Sequence, residues 1–428
     1  MKPFWLPDTT GFSYREGKLF CEDASLEGIA ERFGTPTYVY SRKALEKAYR
    51  EYDDAFSGHP HEILYSVKAC SNLAVIRVLA NLGAGFDIVS GGELLRVEAA
   101  GGDLSKVTYS GVGKTDAEIR LALEKGIHCF NIESVSELDD IARIASELGK
   151  RAPVAVRVNP NVDAKTHPYI STGLKKNKFG VSYEETPALY RKAASLPSIE
   201  VIGIDCHIGS QITQLDPFGH AADKVLDVVE QLAADGIRLR HIDFGGGLGV
   251  CYKDEVPPEK AAFARVILDR LSSRGYGDLA VELEPGRSMV ANAGVLLMRV
   301  IRCKAGEMKN FCIVDAAMND MGRPMFYESW MGIVPACPRD GKGVTYDVVG
   351  PICESGDWLG RDRELNVLPG DLLAMTSAGA YGMTMSSNYN SRPRAAEVLV
   401  DGSSAFCVRR REEPSDLWRG ESVPEELK

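Results

Sequence analysis

The sequence predicts a mixed α/β plus all-β fold, a (β/α)8 barrel of the TIM type joined to a C-terminal β-sandwich or barrel-like domain. Three observations predict it. Between residues 61 and 284, eight short β-rich runs alternate with longer segments of helical spacing. After about residue 286 helical segments become rare and short strand-like runs dominate. The chain, at 428 residues, is long for one ordinary domain and suggests two.

The first 35 residues hold a hairpin-like stretch, FSYREGKLFCE, and a short helix, LEGIAERFG. A lone hairpin is not stable, so this segment is expected to pack with the β domain. The barrel is expected over 36–285 and the β domain over 286–428. The eight runs are HEILYSV (61–67), GFDIV (85–89), VTYS (107–110), HCFNI (128–132), VAVRVN (154–159), EVIGIDCHI (200–208), HIDF (241–244) and LAVELE (279–284). Helix candidates between them include NLAVIRVLANL, DAEIRLALEK, SVSELDDIARIASEL and EKAAFARVILDRL. Strict alternation of this kind favours a closed parallel barrel over a doubly wound sheet. The later strand runs are VLLMRVIRC, FCIVDA, YDVVGPIC, DLLAMTSAG and AAEVLV.

Net charge is −10, which argues against a nucleic-acid partner. No apolar run is long enough to span a bilayer, and the first residues lack the zones of a signal peptide, so no membrane role is expected. Ten scattered cysteines form no CxxC pair and read as reduced thiols of a cytoplasmic protein. No HExxH or paired CxxC pattern suggests a metal. The segment SGVGKT mimics a phosphate-binding loop, but Thr108 stands where the first glycine is required, so that reading is rejected.

Barrel active sites lie at the C-terminal ends of the strands. Polar residues cluster there. Lys68 follows the first run, Asp87 the second, Arg157 and Asn159 the fifth, and His207 the sixth. Three glycines at 245–247 follow the seventh run and Glu284 the eighth. A lysine among apolar neighbours is partly desolvated, which suits an imine-forming amine; a lysine snorkelling off a strand end reads the same way. The glycines can bring backbone N–H groups to an anion, or simply make a tight turn. Glu284 can hold a pyridinium nitrogen protonated and Arg287 can grip an anion, or the two can form a structural ion pair. His207 can stack on an aromatic cofactor or sit in the core.

Taken together, YSVKA, HIGSQI, FGGGLG, EPGR, MNDMGRPMFYE, VVGPICESGD, AGAYG, HPYISTGLKKNKFG (167–180) and MSSNYNSRPRAAEV resemble the diaminopimelate decarboxylase family in order and spacing. The resemblance runs from about residue 10 to 400. It implies an alanine-racemase-like fold and pyridoxal 5'-phosphate as cofactor. It also implies conversion of meso-diaminopimelate to L-lysine and carbon dioxide, the last step of lysine biosynthesis. By the same resemblance Lys68 carries the cofactor and His207 stacks on its ring. Ser210, Gly246, Gly247, Glu284, Pro285, Gly286, Arg287 and Tyr381 form its site. Arg287, Arg323, Tyr327, Glu354 and Tyr381 surround the substrate. Cys353 is the proton donor, reaching the other subunit's site in a homodimer with shared active sites. Relatives acting on ornithine, lysine, arginine or carboxynorspermidine share the cofactor motifs, and only the substrate shell discriminates among them. A non-catalytic homologue acting as a binding protein would not need both Lys68 and Cys353, and a class I aldolase would need neither EPGR nor the β domain.

Overall fold

The computed structural model describes residues 10–162 and 178–427, and most of the segment 167–180 lies outside them. The chain divides into two compact units. One comprises Leu45–Cys251 and Glu255–Val290; the other comprises the described residues up to Ala44, Tyr252–Asp254, and the chain from Ala291 onward.

The first unit is a closed parallel barrel. Its strands are His61–Ser66, Gly85–Ile88, Val107–Tyr109, Cys129–Ile132, Ala152–Asn159, Ile199–Asp205, His241–Asp243 and Ala280–Leu283. Each pairs in parallel with the next, and the ring closes where Val281 pairs with His61. All eight sequence-predicted strands are present. Their apolar faces pack outward under the helices, so the runs are buried on both sides and read as nearly continuous β-rich stretches.

Local signals place the helices. Asn72, Ser90, Thr115 and Ser134 each cap a helix that follows a strand, accepting a bond from a backbone N–H of its first turn. Thr115 and Glu118 complete a reciprocal capping box. Lys114, the lysine of SGVGKT, is buried and spends its ammonium on Glu137 Oε1 at 2.6 Å and on two backbone carbonyls. That lysine is structural, in keeping with the rejected phosphate-loop reading.

The second unit is built on a nine-stranded sheet. Its main path runs Trp358–Leu365, Val344–Val349, Asn310–Val314, Gly294–Lys304, Thr37–Ser41, Ala396–Asp401, Ser404–Arg409. Thr37–Ser41, assigned to the barrel from sequence, is a central strand here, antiparallel to Gly294–Leu297 and parallel to Ala396–Val400. The boundaries of the compact units accordingly fall after Ala44 and Val290 instead of after residues 35 and 285. Phe12–Arg15 and Lys18–Cys21 form the expected hairpin, and Phe12, Leu19 and Cys21 join one buried cluster with Val39, Val295, Ala374 and Val398. No helix among the described residues is long and apolar enough to cross a membrane.

Candidate active site

The barrel interior is polar where it faces the C-terminal ends of the strands. Side chains alternate in direction along a strand, so residues two apart share the inward face. On that face stand Ser66, Asp87, Ser110, Asn131, Arg157, Asp205, Asp243 and Glu284, all buried.

Lys68 sits in the short helical turn Val67–Ala69 immediately after the first strand. Its Nζ lies 2.7 Å from Asp87 Oδ2, and the Asp87 side chain is fully buried while that of Lys68 is 38% exposed. The hydroxyl of Ser66 lies 2.8 Å from the same Asp87 oxygen and 2.9 Å from the Glu284 carbonyl, tying the first, second and eighth strands together. An amine anchored on one buried carboxylate and carried on a partly exposed side chain can be approached by a reactant.

Glu284 is held from the opposite wall. Ser110 Oγ donates to its Oε1 at 3.1 Å, and Asn131 Nδ2 lies 3.3 Å from the same atom. Burial drives the Glu284 carboxyl well above the usual range, and the charges of Asp87 and Asp205 push it further. The same logic raises Asp205 and Asp243, again with burial as the largest cause. One oxygen from each of Asp205, Asp243 and Glu284 lies within 4.8 Å of the others. Arg157 is the buried cation among them, 3.2 Å from Glu133 and 3.8 Å from Asp205. With the carboxyls of Asp205, Asp243 and Glu284 all raised, this region holds protons at neutral pH.

His207 follows the sixth strand. The Gly246 N–H donates to its Nδ1 at 3.2 Å, which puts the ring proton on Nε2. Burial holds the imidazole well below its ordinary pKa, and the cations Arg157 and Lys68 add to this, so it is neutral. The glycine loop is a close approach. A Cβ at Gly246 would stand 2.3 Å from the Glu284 carbonyl oxygen, and one at Gly247 2.4 Å from that of Gly209; Gly247 also has φ +106°. Arg287 opens a short helix after the eighth strand and donates to Ser210 Oγ from Nε at 3.2 Å and Nη2 at 3.0 Å. Pro285 and Gly286 link Glu284 to it, and the Pro285 carbonyl accepts the Ser66 N–H.

The barrel unit thus brings together Lys68, His207, Ser210, Gly246, Gly247, Glu284, Pro285, Gly286 and Arg287. Arg323, Tyr327, Cys353, Glu354 and Tyr381 belong to the other unit. There Arg323 is buried at the start of the helix Arg323–Tyr327. Its guanidinium lies 4.5 Å from the Tyr252 ring centroid and meets Met331 Sδ at 3.3 Å and Ser329 Oγ at 3.4 Å. Cys353 and Glu354 are exposed; the thiol contacts Asn390 Oδ1 at 3.4 Å and the carboxylate accepts from the Tyr389 hydroxyl. Tyr381 adopts a left-handed φ of +55°.

Sequence reading missed Ser66, Ser110, Asn131, Glu133, Asp205 and Asp243. The available signal was an acidic or amide residue inside an apolar strand, as in GID and HID, at a position sharing its face with a strand-end residue already singled out.

An amine, a neutral imidazole, a buried carboxylic acid, and a glycine loop beside a guanidinium make a donor set fitted to an aldehyde-bearing pyridine phosphate. Residues 42–291 match the family described as pyridoxal-dependent decarboxylase, pyridoxal binding domain. The chain is 60% identical over 412 residues to diaminopimelate decarboxylase of Pseudomonas aeruginosa, spanning 96% of this chain and 99% of that one. It is 55% identical over 413 residues to the enzyme of the same name from Vibrio cholerae, again spanning 96% and 99%. Diaminopimelate decarboxylase from M. jannaschii in complex with L-lysine superposes with a TM-score of 0.93 at 40% identity, over 97% of this chain and 99% of that one. The chain belongs to the diaminopimelate decarboxylase family of pyridoxal-dependent enzymes.

Proposed function

We infer that the protein decarboxylates meso-diaminopimelate to L-lysine, using pyridoxal phosphate bound at the C-terminal end of the barrel. The observation that carries this reading is the pairing of the Lys68 amine with buried Asp87 while Glu284, a buried acid, stands at the end of the adjoining eighth strand.

Bound there, the cofactor supplies an electron sink for the bond that loses carbon dioxide. Lys68 would hold the cofactor through its amine, which Asp87 orients. Glu284, its carboxyl raised by burial, would hold a proton toward the pyridine nitrogen. Ser110 and Asn131 fix its carboxyl group from behind. Neutral His207, locked by the Gly246 N–H, would offer its ring to the cofactor. Gly246, Gly247, Ser210, Gly286 and Arg287 are suited to its phosphate, the glycines through their backbone and Arg287 through its charge. Tyr381 is assigned to phosphate and substrate, and Pro285 sets the direction of the chain leaving Glu284.

Substrate choice falls to Arg287, Arg323, Tyr327 and Glu354. Diaminopimelate carries a second carboxylate that lysine lacks, and a buried carboxylate needs a cation. Arg323 offers a planar fork for it and Tyr327 a hydroxyl; Glu354 can accept from the distal ammonium. Cys353 is assigned as the acid that returns a proton to carbon, and it serves the partner subunit's site in a homodimer. Ten free thiols favour work in a reducing cytoplasm.

The deciding experiment incubates purified protein and pyridoxal phosphate with meso-diaminopimelate, lysine, ornithine and arginine, and measures carbon dioxide. Release from diaminopimelate alone is expected. Equal release from lysine or ornithine would overturn the substrate assignment.

A further inference from the structure

A second cluster of ionisable side chains lies at the other end of the barrel from Lys68. His128 immediately precedes the fourth strand, His241 opens the seventh, and Glu282 is the third residue of the eighth. Their side chains converge. Glu282 Oε1 is 2.8 Å from His128 Nε2 and 3.5 Å from His241 Nδ1, and the two imidazole centroids are 5.4 Å apart. One ligating atom from each residue lies within 4.8 Å of the other two.

The surroundings are shaped around this cluster. A Cβ on Gly203 would stand 1.9 Å from His241 Nε2, so the sixth strand forgoes a side chain to admit the imidazole. His241 and Glu282 are each 4% exposed in their side chains. Their atoms His241 Nε2 and Glu282 Oε2 are buried with no hydrogen-bond partner among the described residues. A carboxylate merely bridging two imidazoles by hydrogen bonds would sit at bonding distance from both. The 3.5 Å separation is beyond a good N–H···O bond.

A cation accounts for the arrangement better. Tetrahedral ligands at bonds of ~2.0 Å are spaced about 3.3 Å apart, a value bracketed by the two distances to Oε1. Two imidazole nitrogens and a carboxylate suit zinc among the common divalent ions, and an N2O set leaves the fourth position for water. His128 is 32% exposed, which opens an access path on that side. Glu62 and Arg240 also act on His128; Glu62 is held by Lys106 at 2.9 Å and Arg240 by Glu200 at 2.5 Å, so each is engaged in an ion pair of its own.

We propose that His128, His241 and Glu282 form a binding site for a divalent transition metal of zinc type at the N-terminal end of the barrel. It is separate from the decarboxylation chemistry. That end of a barrel governs stability, so the bound ion acts by holding the fourth, seventh and eighth strands together.

The test uses the full-length holoenzyme, stripped with a chelator and titrated with zinc sulfate by calorimetry, with bound metal counted by elemental analysis and Tm followed in parallel. One zinc per chain is expected, with Tm rising as zinc is added. His128→Ala removes a partly exposed ligand and should fold; it should weaken zinc binding at least about tenfold, keep kcat on diaminopimelate, and lose the Tm rise. Glu282→Gln should do the same for binding wherever it folds. The proposal is overturned if stripped protein takes up no zinc, or if His128→Ala binds it as tightly as the parent. It is equally overturned if binding vanishes on alkylating the exposed thiols Cys353 and Cys407 but survives His128→Ala.

Discussion

At Lys68 the reactive amine and its anchor have opposite surroundings: the ammonium reaches solvent and the carboxylate of Asp87 does not. Lys68→Ala should therefore abolish the visible absorbance of bound cofactor and nearly all turnover. It should also cost about 1–2 kcal/mol of stability, less than the loss of a fully buried ion pair because Lys68 is partly exposed. Borohydride reduction followed by peptide mapping checks the assignment, and a pyridoxyl group on another lysine would refute it. Arg323 makes a prediction of a different kind. Its guanidinium contacts an aromatic ring, a thioether and a hydroxyl, and the proposed role gives it the far carboxylate of the substrate. Arg323→Ala should cost roughly 2–5 kcal/mol in kcat/KM for diaminopimelate and far less for lysine. An unchanged ratio between the two substrates would reduce Arg323 to a structural brace. Asp320 carries a pH dependence. Burial raises its carboxyl from 3.8 to about 7, although its Oδ2 accepts the Ala317 N–H. The folded state then binds more protons than the unfolded one between those values, so stability from this group is full below about 4 and declines as pH rises toward 7. Asp320→Asn should remove up to about 4 kcal/mol of that decline, seen by comparing denaturant unfolding of both proteins at pH 4.5 and 7.5.

At the level of elements, the loop after the seventh strand shows how tightly a turn can be specified. Gly246 has no room for a methyl group beside the Glu284 carbonyl, and its N–H fixes the His207 tautomer. Gly246→Ala should push the loop off the eighth strand, loosen His207 and weaken cofactor binding at least about tenfold. Titrating stripped enzyme with pyridoxal phosphate would show it, and unchanged affinity would mean that the loop takes no part in the cofactor site. Much of this was legible beforehand. Eight strands buried on both faces leave near-continuous β-rich runs, and Lys68, His207, the glycines and Glu284 are visible because they terminate those runs. The same rule produced the misplacement of Thr37–Ser41. All five of its residues are buried, so a central strand of a mixed sheet carries the texture of a barrel strand. Trp358–Leu365 was overlooked for the reverse reason: it is an edge strand with charged residues at 361–364, which break the β signal while protecting the edge. Asp205 and Asp243 lie within strands, and recognising them requires knowing which face points inward.

For the molecule as a whole, the assignment of Cys353 and Glu354 to the partner's site predicts complementation. Lys68→Ala and Cys353→Ala chains, each nearly inactive, should regain measurable activity when mixed, since a hybrid dimer contains one intact site. Failure after proven subunit exchange would argue for self-contained sites. The order in which the chain leaves the ribosome matters too. Thr37–Ser41 is made before every barrel strand, yet its neighbour on one side is Ala396–Asp401, and Tyr40 bonds Glu397 across a separation of 357 residues. The barrel can close while synthesis continues, because every one of its strands has emerged by then. The early strand must wait with both edges bare until Gly294–Leu297 emerges, and with one edge bare until Ala396–Asp401 follows much later. During that interval it is the segment most open to a holding chaperone or to pairing with a neighbouring nascent chain.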